Sequence, residues 1–322
     1  MPLGLGLAAS HAPGMYASTA EQWDVMWHRL SLDRGIPQRA SVYKESGEYL
    51  QEMIRRIKAG HDELKRAYEA YNPEIVIIIG GDQNEEFDRS NVPQFMIYLG
   101  EHAQGNKPGG AFGAPASEVP QVKFEVDVDF SKWLLTKLVK QEGFDIAFST
   151  ELKNLPGRRK GLPHAFVNPP SVIMDNLDAK VCLIWENTYD PPSLSAKRCY
   201  ELGQAIARLV KNDPRRIAIL GSGGLAHDPG GKRSGWLDVP LDKWFLQQIA
   251  EGNGRATEAM YTFDSDAMRA GTGEIRAWIT VTGAMEEVGS RATVVDYVEG
   301  AKTVTGCGLA YWPTQESEVA IR

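Results

Sequence analysis

The sequence predicts an α/β fold: one large domain spanning residues 1–322, with a mixed or parallel sheet layered between helices. Three observations predict it. Ile75-Val76-Ile77-Ile78-Ile79 is an unbroken apolar, β-branched run, as expected of a strand covered on both faces. Other short apolar runs alternate with stretches of helical spacing along the whole chain, which is the order of an α/β sheet. The 322 residues, 43% hydrophobic and 24% charged, can bury a substantial core, and no change of composition marks a linker between domains.

The elements follow in order. Residues 3–9 read as a buried strand ending in small residues before His11. Residues 20–38 are mixed and rich in Trp and Arg. Residues 41–70 carry apolar residues at helical spacing: Tyr49, Leu50, Met53, Ile54, Ile57, Leu64 and Tyr68. The Ile75–Ile79 strand stops at Gly80-Gly81, and Phe95–Leu99 is a second short strand. Residues 104–118 are rich in Gly, Pro and Ala, as a surface loop or lid would be. Val128–Glu142 suits a helix with Phe130, Leu134, Leu135 and Leu138 on one face. Val181–Trp185 is a strand with Cys182 in its core. Ser195 is placed to cap a helix running to about Asn212. Arg216–Leu220 is a strand leading to His227. Asp242–Ile249 and Ile275–Met285 read as helices, and weak alternation over Thr293–Trp312 predicts a hairpin.

Composition narrows the function classes. The net charge is -7 and no long basic run occurs, so nucleic acid is not an expected partner. Arg158-Arg159-Lys160, the densest basic cluster, reads either as a solvated loop or as a clamp for an anionic substrate. Cys182, Cys199 and Cys307 form no CxxC pair; an odd, sparse set fits a reducing cytoplasm better than a disulfide scaffold. The apolar N-terminus is short and lacks a positive leading region, so no signal peptide is expected. No stretch approaches about 18 apolar residues, so no membrane span is expected.

The residues that carry chemistry cluster at strand ends. His11, in Ser10-His11-Ala12-Pro13, follows the first strand, and His227 follows Gly221-Ser222-Gly223-Gly224-Leu225-Ala226. If both strands lie in one parallel sheet, both imidazoles emerge at the carboxyl edge, where open α/β sheets bind ligands. Taken alone, His11 reads equally as a turn cap. Gly80-Gly81-Asp82-Gln83-Asn84-Glu85-Glu86 leaves the strongest strand; it is either a solvated turn or a polar cluster facing a ligand. His164 sits in the Pro-bounded Gly161-Leu162-Pro163-His164 loop. The glycines at 221–224 lack the spacing of a phosphate cradle and serve better as a sharp turn that presents His227. Glu274 lies at the start of a helix, where the dipole also favours a carboxylate. His28, His61 and His102 read as surface residues.

In this order the segments resemble the class III extradiol ring-cleavage dioxygenases, the superfamily of the protocatechuate 4,5-dioxygenase catalytic subunit. The segments are Ser10-His11-Ala12-Pro13, Ile78 to Phe87, Pro163-His164-Ala165-Phe166, Leu220 to His227 and Gly273 to Trp278. Each is short, but the ordered set spans nearly the whole chain. The resemblance is strongest toward the branch that acts on lignin-derived phenols. It implies that family's α/β fold, a non-haem Fe(2+), a small aromatic substrate and O2. A face of two histidines and one carboxylate leaves room on the iron for a catecholate and for O2.

Carried over by position, the resemblance makes His11 a metal ligand and Glu274 the carboxylate ligand. It makes His227 the acid–base histidine and His164 a histidine beside the substrate. The second histidine ligand of the family is replaced by Gln83, a neutral and weaker donor. Gln83 itself, or Asp82, Glu85 or Glu86, is left to take that place. Three functions follow. The first is an extradiol dioxygenase for catechol- or gallate-type phenols. The second is an O2-independent acid–base enzyme, a decarboxylase or hydrolase of an aromatic acid. The third is a non-catalytic partner subunit. A homodimer or a second subunit is an expectation from the resemblance alone.

Overall fold

The structure is a computed structural model. It describes the chain except residues 1, 109–111, 113, 116–117, 157–160, 175–177, 264, 316 and 319–322. In chain order the main elements are β1 (Leu3–Ala9), α1 (Ala20–Leu30), α2 (Gly47–Tyr71), β2 (Ile75–Gly81), β3 (Phe95–Tyr98), β4 (His102–Asn106) and β5 (Gln121–Glu125). Then come α3 (Val128–Lys140), β6 (Ala147–Ser149), α4 (Pro170–Ile173), β7 (Lys180–Glu186), α5 (Ala196–Val210) and β8 (Ile217–Ser222). The chain continues through α6 (Val239–Glu251), α7 (Ile275–Glu287), β9 (Thr293–Gly300) and β10 (Thr305–Pro313).

Eight strands form one mixed sheet in the order β6-β3-β7-β2-β8-β1-β10-β9. The central four, β7, β2, β8 and β1, are mutually parallel. Antiparallel strands flank them: β3 on β7, and β10 with β9 on β1. β4 and β5 form a separate antiparallel ribbon.

The apolar run of β2 is buried on both faces, as its composition requires. Ile75, Ile77 and Ile79 pack with α3, α5, α6 and α7 in one core. Val76 and Ile78 point the other way, into a second core with α2 and Phe166. Burying five such side chains removes enough apolar surface to contribute about 10 kcal/mol before entropy is set against it. Gly6 of β1 lets α7 approach: a Cβ there would lie 2.5 Å from Met285 Cγ. Ser195 caps α5 by accepting the Arg198 amide N–H.

Three sequence expectations need correction. Residues 104–106, within the expected 104–118 loop, complete β4, because Ala103 and Gly105 turn inward opposite Val122 and Phe124 of β5. The helix expected from 41 begins at Gly47, and Tyr49 lies on its solvent face, 58% exposed. His61 is not a surface residue: it lies on the buried stripe of α2 and stacks on Tyr16, with ring centroids 5.1 Å apart. Arg158-Arg159-Lys160 lies outside the described residues.

Among the described residues no helix is long and apolar enough to cross a membrane.

Candidate active site

All four central parallel strands end at one edge, and three of the expected site residues leave from there. His11 follows β1, Gln83 follows β2 and His227 follows β8. Glu274 comes to the same place from the N-cap of α7. His164 arrives on a short 3-10 turn, His164–Phe166. His11, His227 and Glu274 are buried; Gln83 and His164 are partly open.

The five converge. His11 Nε2 is 3.1 Å from Glu274 Oε2, and the Gln83 side-chain amide lies 2.8 Å from the same nitrogen. That amide also donates to Glu274 Oε1. His227 Nε2 is 3.6 Å from Glu274 Oε2. The His11 and His164 rings meet edge to face, with centroids 4.6 Å apart.

Backbone turns fix Glu274 and His227. Gly223 has φ 148°, and a Cβ on it would lie 2.6 Å from Glu274 Cβ, so glycine is required where the two segments touch. The Gly224 amide donates to Glu274 Oε2. Burial alone would raise the pKa of this carboxyl. His11, His227 and the two hydrogen bonds outweigh burial and hold it at about 2, so it is an anion at any working pH. The His11 pKa is lowered as well, here by burial itself, with Glu274 opposing. A neutral imidazole is the form that binds metals.

His227 Nδ1–H donates to the Leu225 carbonyl at 2.8 Å. That bond turns the other ring nitrogen, Nε2, toward Glu274. Its backbone N–H donates to Thr272 Oγ1, and Ala226 N–H donates to the buried Asp242 carboxylate.

The acidic residues after Gln83 divide the work. Asp82 accepts the amide N–H groups of Glu85, Glu86 and Phe87 and so shapes the turn. Burial still raises its pKa to about 6 against those bonds. Glu85 Oε1 accepts from His164 Nδ1–H at 2.5 Å, fixing the orientation of that ring. Glu86 is buried, and its pKa is pushed up to about 9 by burial and then by Asp82 and Glu85. Glu85, considered in the sequence only as a substitute ligand, is therefore the partner of His164. Their separation of 79 positions left no local signal of the pairing.

The metal question turns on the donor set. Among the described residues no group of three or more His, Cys, Asp and Glu side chains is arranged to hold a metal ion. What converges is one imidazole, one carboxylate and one amide. Donor atoms about 2.1 Å from one ion, roughly at right angles, lie about 3 Å apart, and the His11–Glu274 separation matches that spacing; Gln83 faces His11 with its amide nitrogen, so it would ligate only with the amide turned over to present its oxygen. The set therefore fits a divalent ion, with the Gln83 amide oxygen as its weakest donor.

The chain is similar to known proteins of one family. A family model described as the catalytic LigB subunit of aromatic ring-opening dioxygenase matches residues 35–306; His11 precedes the matched span. A 2,3-dihydroxyphenylpropionate/2,3-dihydroxicinnamic acid 1,2-dioxygenase of Burkholderia vietnamiensis (strain G4 / LMG 22486) is 24% identical over 275 residues, 71% of this chain and 80% of that protein. An enzyme of the same name from Rhodococcus globerulus is 25% identical over 54% of this chain and 49% of its own length. One from Escherichia coli (strain K12 / DH10B) is 27% identical over 56% and 51%. The alignment thus spans about half the length of the latter two relatives. Among solved structures, an uncharacterized protein of Escherichia coli K12 is similar at a TM-score of 0.41 and 13% identity, over 76% of this chain and 91% of that one. The family match covers most of the chain and all of the site but His11: the chain belongs to the family of the catalytic LigB subunit of aromatic ring-opening dioxygenases.

Proposed function

We propose that this chain is an extradiol-type dioxygenase that opens the ring of a catechol- or gallate-type phenol within one catalytic domain. The observation that carries the reading is the meeting of His11, Gln83, Glu274, His164 and His227 at one sheet edge of a family member. The relatives' names point to a substrate with adjacent ring hydroxyls.

His11, Glu274 and Gln83 would hold an Fe(2+). When bound, such an ion lowers the pKa of a ligated phenol and brings substrate and O2 together. The remaining chemistry belongs to the chain. Glu274 supplies the negative charge that retains a cation in a buried site. His227 Nε2, the ring nitrogen left free by the Nδ1–H bond to Leu225, would accept the proton of a phenolic hydroxyl and later return it. His164, held by Glu85, orients the ring by hydrogen bonding. Gly271 closes one side of His227: a Cβ there would lie 2.0 Å from Nε2. Solvent is thereby kept from the base on that side.

The test is anaerobic purification with elemental analysis, followed by O2 uptake on catechol, protocatechuate and gallate. One O2 consumed per ring opened is expected. Absence of iron together with no uptake on any of the three would sink the reading.

A second reading is favoured by one observation. The Gln83 amide closes a hydrogen-bonded triad with His11 and Glu274, and His227 and the Glu85–His164 pair need no ion for acid–base work. That reading is an O2-independent decarboxylase or hydrolase of an aromatic acid. Turnover under strict anaerobiosis supports it, and an absolute O2 requirement excludes it.

A further inference from the structure

The imidazole of His227 hangs from a single peptide. His227 Nδ1–H donates to the Leu225 carbonyl, and Ala226 N–H, in the same peptide unit, donates to Asp242 Oδ1 at 2.8 Å. A peptide unit is planar and rigid. A group that fixes the direction of its N–H therefore also fixes the direction of its carbonyl, and with it the ring bonded there. Asp242 is itself held. It is fully buried in the first turn of α6, and the Tyr297 hydroxyl of β9 donates to its other oxygen, Oδ2, at 2.7 Å. Two donors converge on this side chain, and a carboxylate offers an oxygen to each. Strand β10 makes room for it: a Cβ on Gly306 would lie 2.1 Å from Asp242 Oδ2. The Gly306 carbonyl accepts from Leu225 N–H at 3.0 Å, and Gly306 N–H donates to the Ala226 carbonyl at 3.1 Å. β10 thus bonds the peptides on either side, while the one that carries His227 is gripped by Asp242.

We propose that Asp242, braced by Tyr297, is the positioning residue of the base: it orients the Leu225–Ala226 peptide and so sets where His227 Nε2 points. The inference rests on the reading of His227 as the acid–base group. Asp242 acts through the peptide and touches neither substrate nor ion. Its loss should therefore fall on proton transfer, which needs His227 in place, and spare the binding of the phenol, which the ion-holding face and His164 provide. A side chain that only filled space beside α6 would be replaced without such a split.

The test compares wild type with Asp242→Asn and Asp242→Leu, Fe(2+)-loaded, by O2 uptake on catechol. Asp242→Asn keeps an oxygen for Ala226 N–H and turns an amide N–H to Tyr297 Oη; Asp242→Leu keeps the bulk and removes the acceptor. Asp242→Leu should lower kcat about a hundredfold with KM within about twofold of wild type, and Asp242→Asn should stay within about threefold in kcat. A second measurement needs no turnover. In protein with isotope-labelled histidine and no added metal, the magnetic-resonance signal of His227 Nδ1–H is assigned by its absence in His227→Gln. Its exchange with water should be about tenfold or more faster in Asp242→Leu than in wild type or Asp242→Asn. A kcat for Asp242→Leu close to wild type, or equal losses in both variants, overturns the proposal. If Asp242→Leu does not fold, Tyr297→Phe takes its place: a kcat about fivefold lower and faster exchange are expected, and wild-type values for both overturn the proposal. If wild type consumes no O2, the dioxygenase reading fails, and the exchange rates alone decide whether Asp242 holds His227.

Discussion

The loops that leave β2 and β8 start from neighbouring parallel strands and end at the same site, yet they are held in different ways. After β8 the backbone does the holding. Gly223 and Gly224 take positive φ, Gly224 N–H binds Glu274, and His227 is fixed through Leu225 and Thr272. After β2 a single side chain does it: Asp82 gathers three consecutive amides. The residues that turn displays, Gln83, Glu85 and Glu86, are not needed to form it. A loop fixed by its backbone keeps its chemistry because changing it breaks the fold. A loop fixed by one cap is free to exchange the side chains it presents, and this is the loop in which glutamine stands where the resemblance expects histidine.

Substitutions that test the contrast are expected to fall off in their effect on stability. Gly223→Ala should do the most. It forces a Cβ against Glu274 Cβ at a φ of 148°, and a loss of about 3 kcal/mol or more is expected in denaturant unfolding. A variant within about 1 kcal/mol of wild type would show that the backbone has slack here. Asp82→Ala should cost about 2 kcal/mol, because three amides in a partly buried turn lose their acceptor. Its effect on turnover should exceed its effect on stability, since Gln83 and the Glu85–His164 pair both ride on that turn.

Glu86→Gln should have a smaller effect, and one that depends on pH. The buried Glu86 carboxyl holds its proton up to about 9, against an ordinary 4.5. Between those values the unfolded chain has released a proton that the folded chain keeps, so this group makes stability fall as pH rises. Glutamine has no proton to lose. The variant should match wild type near pH 4 and gain stability steadily as pH rises to 8. An equal difference at both pH values would mean that Glu86 is not charged at a cost in the folded state.

The same contrast explains what was legible in the sequence. Ile75–Ile79 announced a strand covered on both sides, since no polar residue interrupts it. The glycines before His227 announced a turn, because backbone geometry leaves its mark on residue type. Ser195 was legible as a cap for the same local reason. His61 was misread although its signal was present: Ile57, His61, Leu64 and Tyr68 follow the helical stripe, and only its polarity spoke for the surface. The pairing of Glu85 with His164 left no local trace. It arises only when the exit of β2 meets the short turn His164–Phe166, 79 positions further on.

Gln83→His should be nearly silent in stability and is the sharpest test of the contrast. Gln83 is partly open, and its amide serves the site rather than the turn, so the melting free energy should change by less than about 1 kcal/mol. Restoring an imidazole beside His11 and Glu274 completes two histidines and one carboxylate. Affinity for Fe(2+), measured by anaerobic titration against a chelator, should rise by about tenfold or more, worth at least about 1.4 kcal/mol. If affinity is unchanged, Gln83 does not face the ion, and the donor set must be sought elsewhere on this edge. If the variant instead unfolds, the β2 loop is held by Gln83 as well as by Asp82, and the difference between the two loops is smaller than their hydrogen bonds indicate.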